Sequence, residues 1–183
     1  MTVEPLSLAE AKQHLRVEDD DPYLTYLAGY ITAARQTVEE YLNASVANQT
    51  RVHRLDVFPA GAITLPNGPV LSVTSIGYVD LNGANQTVSV AGLIGPVYDT
   101  ISPAYGAVWP STRDQAGAVT ITYTAGMMAG SPLTLEREDI KSAIKLVLGD
   151  IWEVREGSVI GAPIAVNPTV ERLLHYHRRT LGV

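Results

Sequence analysis

The chain has no cysteine among its 183 residues. A disulfide framework, a thiolate metal site and a cysteine nucleophile are thereby excluded, and a cytosolic site of synthesis fits. Basic residues are scarce as well, 13 Lys and Arg against 19 Asp and Glu, for a net charge of -6 and a pI near 5.1. Proteins that hold nucleic acid gain affinity by displacing phosphate counterions with Lys and Arg, so stable, sequence-specific DNA binding is not expected. No apolar run approaches the length of a bilayer span, and MTVEPLSLAEAK has no basic segment leading into an apolar one. Neither a membrane partner nor a secretory signal is therefore expected. The sequence also has no Gly-x-Ser-x-Gly elbow and no Gly-x-x-x-x-Gly-Lys phosphate loop. The glycines of residues 125–130 lack that lysine and read as strand termination.

What is present is 46% hydrophobic, enough for one substantial core or for a helical core carrying an inserted β unit. Ser7 and Glu10 form an S-x-x-E capping box, and Leu8, Ala11 and Leu15 then share a helical face. The acidic run Glu18, Asp19, Asp20, Asp21 ends at Pro22, so Asp21 is placed to cap a second helix with proline in its first turn. In that helix Leu24, Leu27, Ile31, Ala34, Val38 and Tyr41 recur at steps of three and four, predicting a stripe that runs to about Leu42. The stripe is too short for a coiled coil and predicts a bundle helix packed on the one beginning near Leu135. There Ile140, Ala143, Ile144, Val147, Leu148 and Ile151 keep helical spacing, with Glu136, Glu138 and Asp139 at the positive end of the dipole.

Between these helices the texture changes to short β-prone runs separated by turn residues. Strands are predicted over residues 51–57, 62–65, 72–80, 87–90 and 118–124, the last from Val119, Ile121 and Tyr123 alternating with threonines until Gly126. Asn82-Gly83 is a hairpin signal, because both central residues of a type I′ turn need positive φ. Residues 93–111 are interrupted by Gly95, Pro96, Pro103, Gly106 and Pro110 and read as an irregular, exposed loop. After the long helix, GSVIGAPIAVN at residues 157–167 is apolar without periodicity. Val159, Ile160, Ile164 and Val166 there are awkward to leave in water and are candidate partner-binding residues. Asn167 and Pro168 start a final helix with Val170, Leu173 and Leu174, and Arg172, Arg178 and Arg179 give it a basic end. Those cations either complement the helix dipole in solvent or meet an acidic partner surface or DNA phosphates.

Candidates for chemistry are thin. His175 and His177 miss the three-or-four-residue spacing of a helical zinc pair, and the four histidines read as structural or exposed. The acidic run lacks the alternating ligands, central glycine and terminal glutamate of a calcium loop. No carboxylate pair stands out for acid–base work. Neither a catalytic residue, a metal nor a cofactor is expected. Trp152 and Arg155 fit either a core edge or an interface.

In order and spacing, LSLAEAKQHLRVEDDDPYLTYL at residues 6–27, ITLPNGPVLSVTSIGYVDLNG at 63–83, the Trp-Pro at 109–110, Tyr-Thr-Ala-Gly at 123–126 and Trp-Glu-Val-Arg-Glu at 152–156 form one pattern. It resembles the head-tail connector, adaptor or head-completion proteins of tailed bacteriophages, in the branch related to lambdoid phages and gene transfer agents. The simplest members are almost wholly helical, and this chain departs from them in its long β-rich middle. The expectation is an α+β chain: residues 1–49 and 126–183 form a small helical bundle, and 50–125 an inserted antiparallel β-rich unit. The resemblance implies a structural virion protein at the head-tail interface, made in the bacterial host cytoplasm. It would form a homo-oligomeric ring, typically twelvefold, beneath the portal protein. That ring would pass double-stranded DNA and offer a surface to a tail-completion protein. Residues 157–167 and the last helix are expected to carry the portal contact. The alternatives are a tail-side completion protein and, in another class, a small hydrolase or carbohydrate-binding module using residues 93–111 as its site.

Overall fold

The computed structural model describes residues 3–154 and 167–179. It divides into two compact units, one formed by the chain up to Ala47 together with the described residues from Met128 onward, the other by Asn48–Met127.

The first unit is helical. Helix α1 (Leu8–Leu15) opens on the Ser7 capping box: the Ser7 hydroxyl accepts from Glu10 N at 3.2 Å, and Glu10 Oε2 accepts from Ser7 N at 3.0 Å. Only Ala11 of the expected apolar face is buried; Leu15 is half-buried and Leu8 is 44% exposed. Helix α2 (Leu24–Leu42) begins two residues later than the cap-then-proline pattern implied. Asp21 instead closes the preceding turn, its Oδ1 accepting from Tyr23 N at 2.8 Å, and Tyr23 occupies the N-cap position but its side chain does not cap the helix. Leu27, Ile31, Ala34, Val38 and Leu42 are buried along one stripe of α2, which packs on α3 (Glu138–Glu153) through Ile140, Ala143, Ile144 and Leu148. Trp152 is buried at the end of α3 and meets the Tyr30 ring edge to face, with centroids 6.0 Å apart. Helix α4 (Pro168–Leu174) also packs on α3 and continues into a 3-10 turn, His175–His177.

A network that periodicity does not reveal lies in the same unit. Arg35 and Glu39 face the core side of α2, one turn apart, and are nearly inaccessible to solvent. Glu39 Oε2 accepts from Arg35 Nη1 at 2.7 Å, while its Oε1 accepts from the backbone N–H groups of Val46 (2.7 Å) and Ala47 (3.1 Å). Arg35 Nε also donates to Glu4 Oε2 at 2.8 Å, and Thr32 Oγ1 donates to Glu4 Oε1 at 2.9 Å. Burial works against the Arg35 charge. The Glu4 hydrogen bond and the charges of Glu39 and Glu4 overcome it, raising the guanidinium pKa further. Two otherwise orphaned backbone donors, in the turn where the chain leaves this unit, thus end on one buried carboxylate.

The second unit is antiparallel β. Strands β1 (Gln49–Leu55), β3 (Val70–Val79), β4 (Asn85–Val88) and β7 (Val119–Ala125) form a sheet in the order β1-β7-β3-β4. Strands β2 (Ile63–Thr64), β5 (Ile94–Val97) and β6 (Thr100–Ser102) form a second sheet in the order β2-β6-β5. The alternation in β7 is realised: Val119, Ile121, Tyr123 and Ala125 are buried, and the intervening threonines half-buried. Ile76 and Ile121 are register partners, and with Ile63 and Ile101 of the other sheet and Leu65, which follows β2, they share one core. Tyr123 satisfies its buried hydroxyl by donating to Pro66 O at 2.6 Å.

Two expectations about turns need correction. At Asn82-Gly83 only Gly83 has positive φ (85°), so the turn is not type I′. Gly83 N instead donates to Asp80 O at 2.9 Å, and Asp80 Oδ1 accepts from Asn82 N and Ala84 N, both at 2.9 Å. The carboxylate thereby organises the loop in place of a second left-handed residue. Residues 93–111 are not simply an irregular loop, since they contain β5 and β6 and bury Ile101 completely. Their breakers are accommodated at an edge. Gly95 (φ 114°) sits at a register shift where a Cβ would come within 2.4 Å of Thr100 O, and Pro96 lies on the outermost strand.

Candidate partner-binding site

The seven residues put forward as partner-binding divide in two. Val159, Ile160, Ile164 and Val166, with most of the apolar 157–167 segment and Arg155, lie outside the described residues. Arg172, Arg178 and Arg179 are described.

Asn167 caps α4, its Oδ1 accepting from Thr169 N at 3.1 Å, with Pro168 in the first turn. Val170 and Leu174, four apart, are buried, so the helix turns Arg172 outward, where it is exposed. Arg178 and Arg179 come together at the end of α2. The Arg178 guanidinium stands 5.5 Å from the centroid of the Tyr41 ring. Arg179 N donates to Leu42 O at 2.9 Å, and Asn43 Nδ2 donates to Arg179 O at 3.2 Å. Leu42 O is one of the carbonyls a helix C-terminus leaves without an intrahelical partner, so this contact completes α2. The basic end of the chain thus has a structural task at Arg179 and a free cationic face at Arg172.

A second tie, missed from sequence, holds the same turn. His177 Nε2 is hydrogen-bonded to Asp139 Oδ2, and Arg137 Nη2 lies 2.8 Å from His177 Nδ1. With its proton on Nε2 the ring donates to the carboxylate and leaves Nδ1 to accept from the guanidinium, whose Nη2 also lies 2.9 Å from Nε2. Burial pushes the Asp139 carboxyl up. Hydrogen bonds from Arg137, the Ile140 N–H and His177 outweigh that and hold it below the usual range. The 38-residue separation between Asp139 and His177 leaves no spacing signal. His177 is therefore a strut rather than half of a zinc pair with His175. No group of three or more metal-ligating side chains occurs among the described residues.

Residues 93–111, the site of the hydrolase alternative, carry one carboxylate, Asp99. Its Oδ1 accepts from Val70 N at 2.7 Å, and it packs so closely on Gly68 that a Cβ there would lie 2.2 Å from the same oxygen. A single committed carboxylate does not supply the acid–base pair that hydrolysis of a glycoside uses.

A family model described as phage gp6-like head-tail connector protein matches residues 5–88, which span α1, α2 and β1 to β4. Among solved structures, the chain is similar over its whole length to a chain from the neck of an empty gene transfer agent particle computed with C6 symmetry. The two are 27% identical with a TM-score of 0.75, and the match covers 98% of that chain. A chain from the virion of a native gene transfer agent particle matches at 26% identity and TM-score 0.74, over 98% of this chain and 93% of that one. A chain from the neck of a native particle computed with C12 symmetry matches at 26% identity and TM-score 0.70, over 100% and 98%. Comparison with curated protein sequences gave no match. Helical ends, β-rich middle and family pattern agree, and the match over residues 5–88 together with the similarity to gene transfer agent neck chains supports a structural head-tail connector role for this chain.

Proposed function

We propose that copies of this chain close into a ring, typically of twelve, at the head-tail interface of a virion, beneath the portal protein. The ring extends the channel through which double-stranded DNA passes and offers a surface to the tail-completion protein. The observation that carries this reading is the end-to-end similarity to gene transfer agent neck chains in structures computed with C6 and C12 symmetry. The work is positional: identical subunits contact head to tail, the rotation closes, and no bond is made or broken. A net charge of -6 suits a conduit that must not retain DNA.

The portal contact is assigned to the segment containing Val159, Ile160, Ile164 and Val166, together with Arg172, Arg178 and Arg179 at the end of the chain. An apolar run followed in sequence by cations has the composition usual for an interface centre and its edge. The test is a variant in which Ile160→Asp and Ile164→Asp are combined. The expected result is a subunit with an unchanged circular dichroism spectrum that no longer cosediments with portal rings. Cosedimentation at wild-type levels overturns the assignment of this segment.

A further inference from the structure

The tip of the β5–β6 hairpin combines features that folding alone does not call for. Val97 and Thr100 are register partners, so Tyr98 and Asp99 form a two-residue loop, and both have positive φ, 49° and 64°. That geometry favours Asn, Asp or Gly; a tyrosine in it is strained. The backbone is nonetheless pinned. Asp99 O accepts from Leu65 N at 2.8 Å, and Asp99 Oδ1 accepts from Val70 N at 2.7 Å. The ring on this fixed mount is 97% exposed, and Ile94 and Val97 on the same hairpin are 52% and 56% exposed. A bulky aromatic held in an unfavourable conformation, in water, with its backbone locked, is a preorganised contact residue.

Charge indicates the partner. Residues 48–127 carry only Arg51, Arg54 and Arg113 against Asp56, Asp80, Asp99 and Asp114, a net of -1, so the rest of the chain holds -5 of the total -6. Two copies of an acidic chain approach at least electrostatic cost where both are poor in charge. The same unit also presents Val57, Leu81, Tyr105 and Val108 to solvent. Strand addition is not the mode, because Pro96 removes a backbone donor from the outer strand and Gly95 breaks its register. The contact is made by side chains.

We infer that Tyr98, on the hairpin that also exposes Ile94 and Val97, is the anchor by which each subunit docks onto a neighbouring copy of this chain. The inference rests on the ring proposed above. It is tested with the full chain in assembled necks, carrying the photoreactive p-benzoylphenylalanine in place of Tyr98. Irradiation followed by mass spectrometry is expected to give cross-links to peptides of a second copy of the chain. Cross-links only to another neck protein, or none in fully formed rings, overturn the inference while leaving the ring intact. A wild-type chain that never enters the neck overturns the proposed function, and the inference with it. The companion variant is Tyr98→Asn, which relieves the left-handed strain while deleting the ring. Its thermal midpoint is expected to equal or exceed that of the wild type. The concentration needed for half-occupancy of the neck should rise about 30-fold, the effect of losing a hot-spot side chain. Assembly of Tyr98→Asn at wild-type concentrations overturns the inference.

Discussion

Glu39→Ala removes the acceptor of three buried donors at once: Arg35 Nη1 and the N–H groups of Val46 and Ala47. Breaking a buried pair from one side costs about 3–5 kcal/mol, because the remaining charge is left in a poorly solvating site. Arg35 keeps its bond to Glu4, whose side chain is 26% exposed, so the expected loss lies near the lower end, about 3 kcal/mol. For a unit of roughly 100 residues this lowers the thermal midpoint on the order of 12–24 °C. Trp152 is the tryptophan of the helical unit and Trp109 that of the β unit, so a Trp109→Phe background lets fluorescence report the helices alone. Urea unfolding in that background should show the loss as a lower midpoint with an unchanged slope. The double variant Arg35→Met with Glu39→Gln removes both charges but keeps an amide oxygen for Val46 N. It should be less destabilised than Glu39→Ala. A loss below about 1 kcal/mol for Glu39→Ala, the range of an exposed pair, would refute the claim that this carboxylate organises the exit from α2.

Other predictions concern separate elements. Glu10 is held down to about 2, chiefly by its hydrogen bond with Lys141 and also by Ser7, against an ordinary 4.5. Its contribution to stability is therefore complete above pH 4.5 and is lost as pH falls from there toward about 2. In Glu10→Gln, acid titrations followed by circular dichroism should lose that part of the pH dependence, and added salt should shrink the difference from wild type, since the pair is partly exposed. Gly95→Ala places a Cβ against Thr100 O in a backbone conformation with φ 114° and should cost about 2 kcal/mol, read by urea unfolding of the Trp109 signal. Trp109 stacks on Phe58 with centroids 5.0 Å apart and donates from Nε1 to Gly61 O at 2.7 Å. Trp109→Ala should cost about 2–3 kcal/mol, somewhat less than a fully buried tryptophan, and a thermal midpoint within error of wild type would contradict that packing.

The helices were legible because their signals are local. A capping box at Ser7 and Glu10, apolar steps of three and four in α2 and α3, and Asn167-Pro168 at α4 each need only a few neighbouring residues. The threonine alternation of β7 is equally local. What escaped depends on contacts between distant segments. No local signal marks Arg35 and Glu39 as buried; that follows from Glu4 and the Val46–Ala47 turn, which close over them. Strands β5 and β6 hide behind Gly95 and Pro96, which are tolerable only at a sheet edge, and behind a Tyr98-Asp99 turn that carries none of the glycine a positive-φ hairpin usually advertises. At the candidate site, the arginines were visible as a basic end, but the division of labour among them was not. Arg179 completes α2, Arg178 covers Tyr41 and Arg172 points outward, an arrangement set by where the chain returns after α4. The family pattern carried the functional reading further than any single residue could, because its signal lies in the order and spacing of segments along most of the chain.

The most direct test of the account is to mix the purified full chain with its portal ring, follow mass by light scattering and view the product by electron microscopy. The account predicts a second ring of this chain stacked coaxially on the portal, with a continuous central channel. A folded chain and an intact portal that stay apart at every accessible concentration would contradict it.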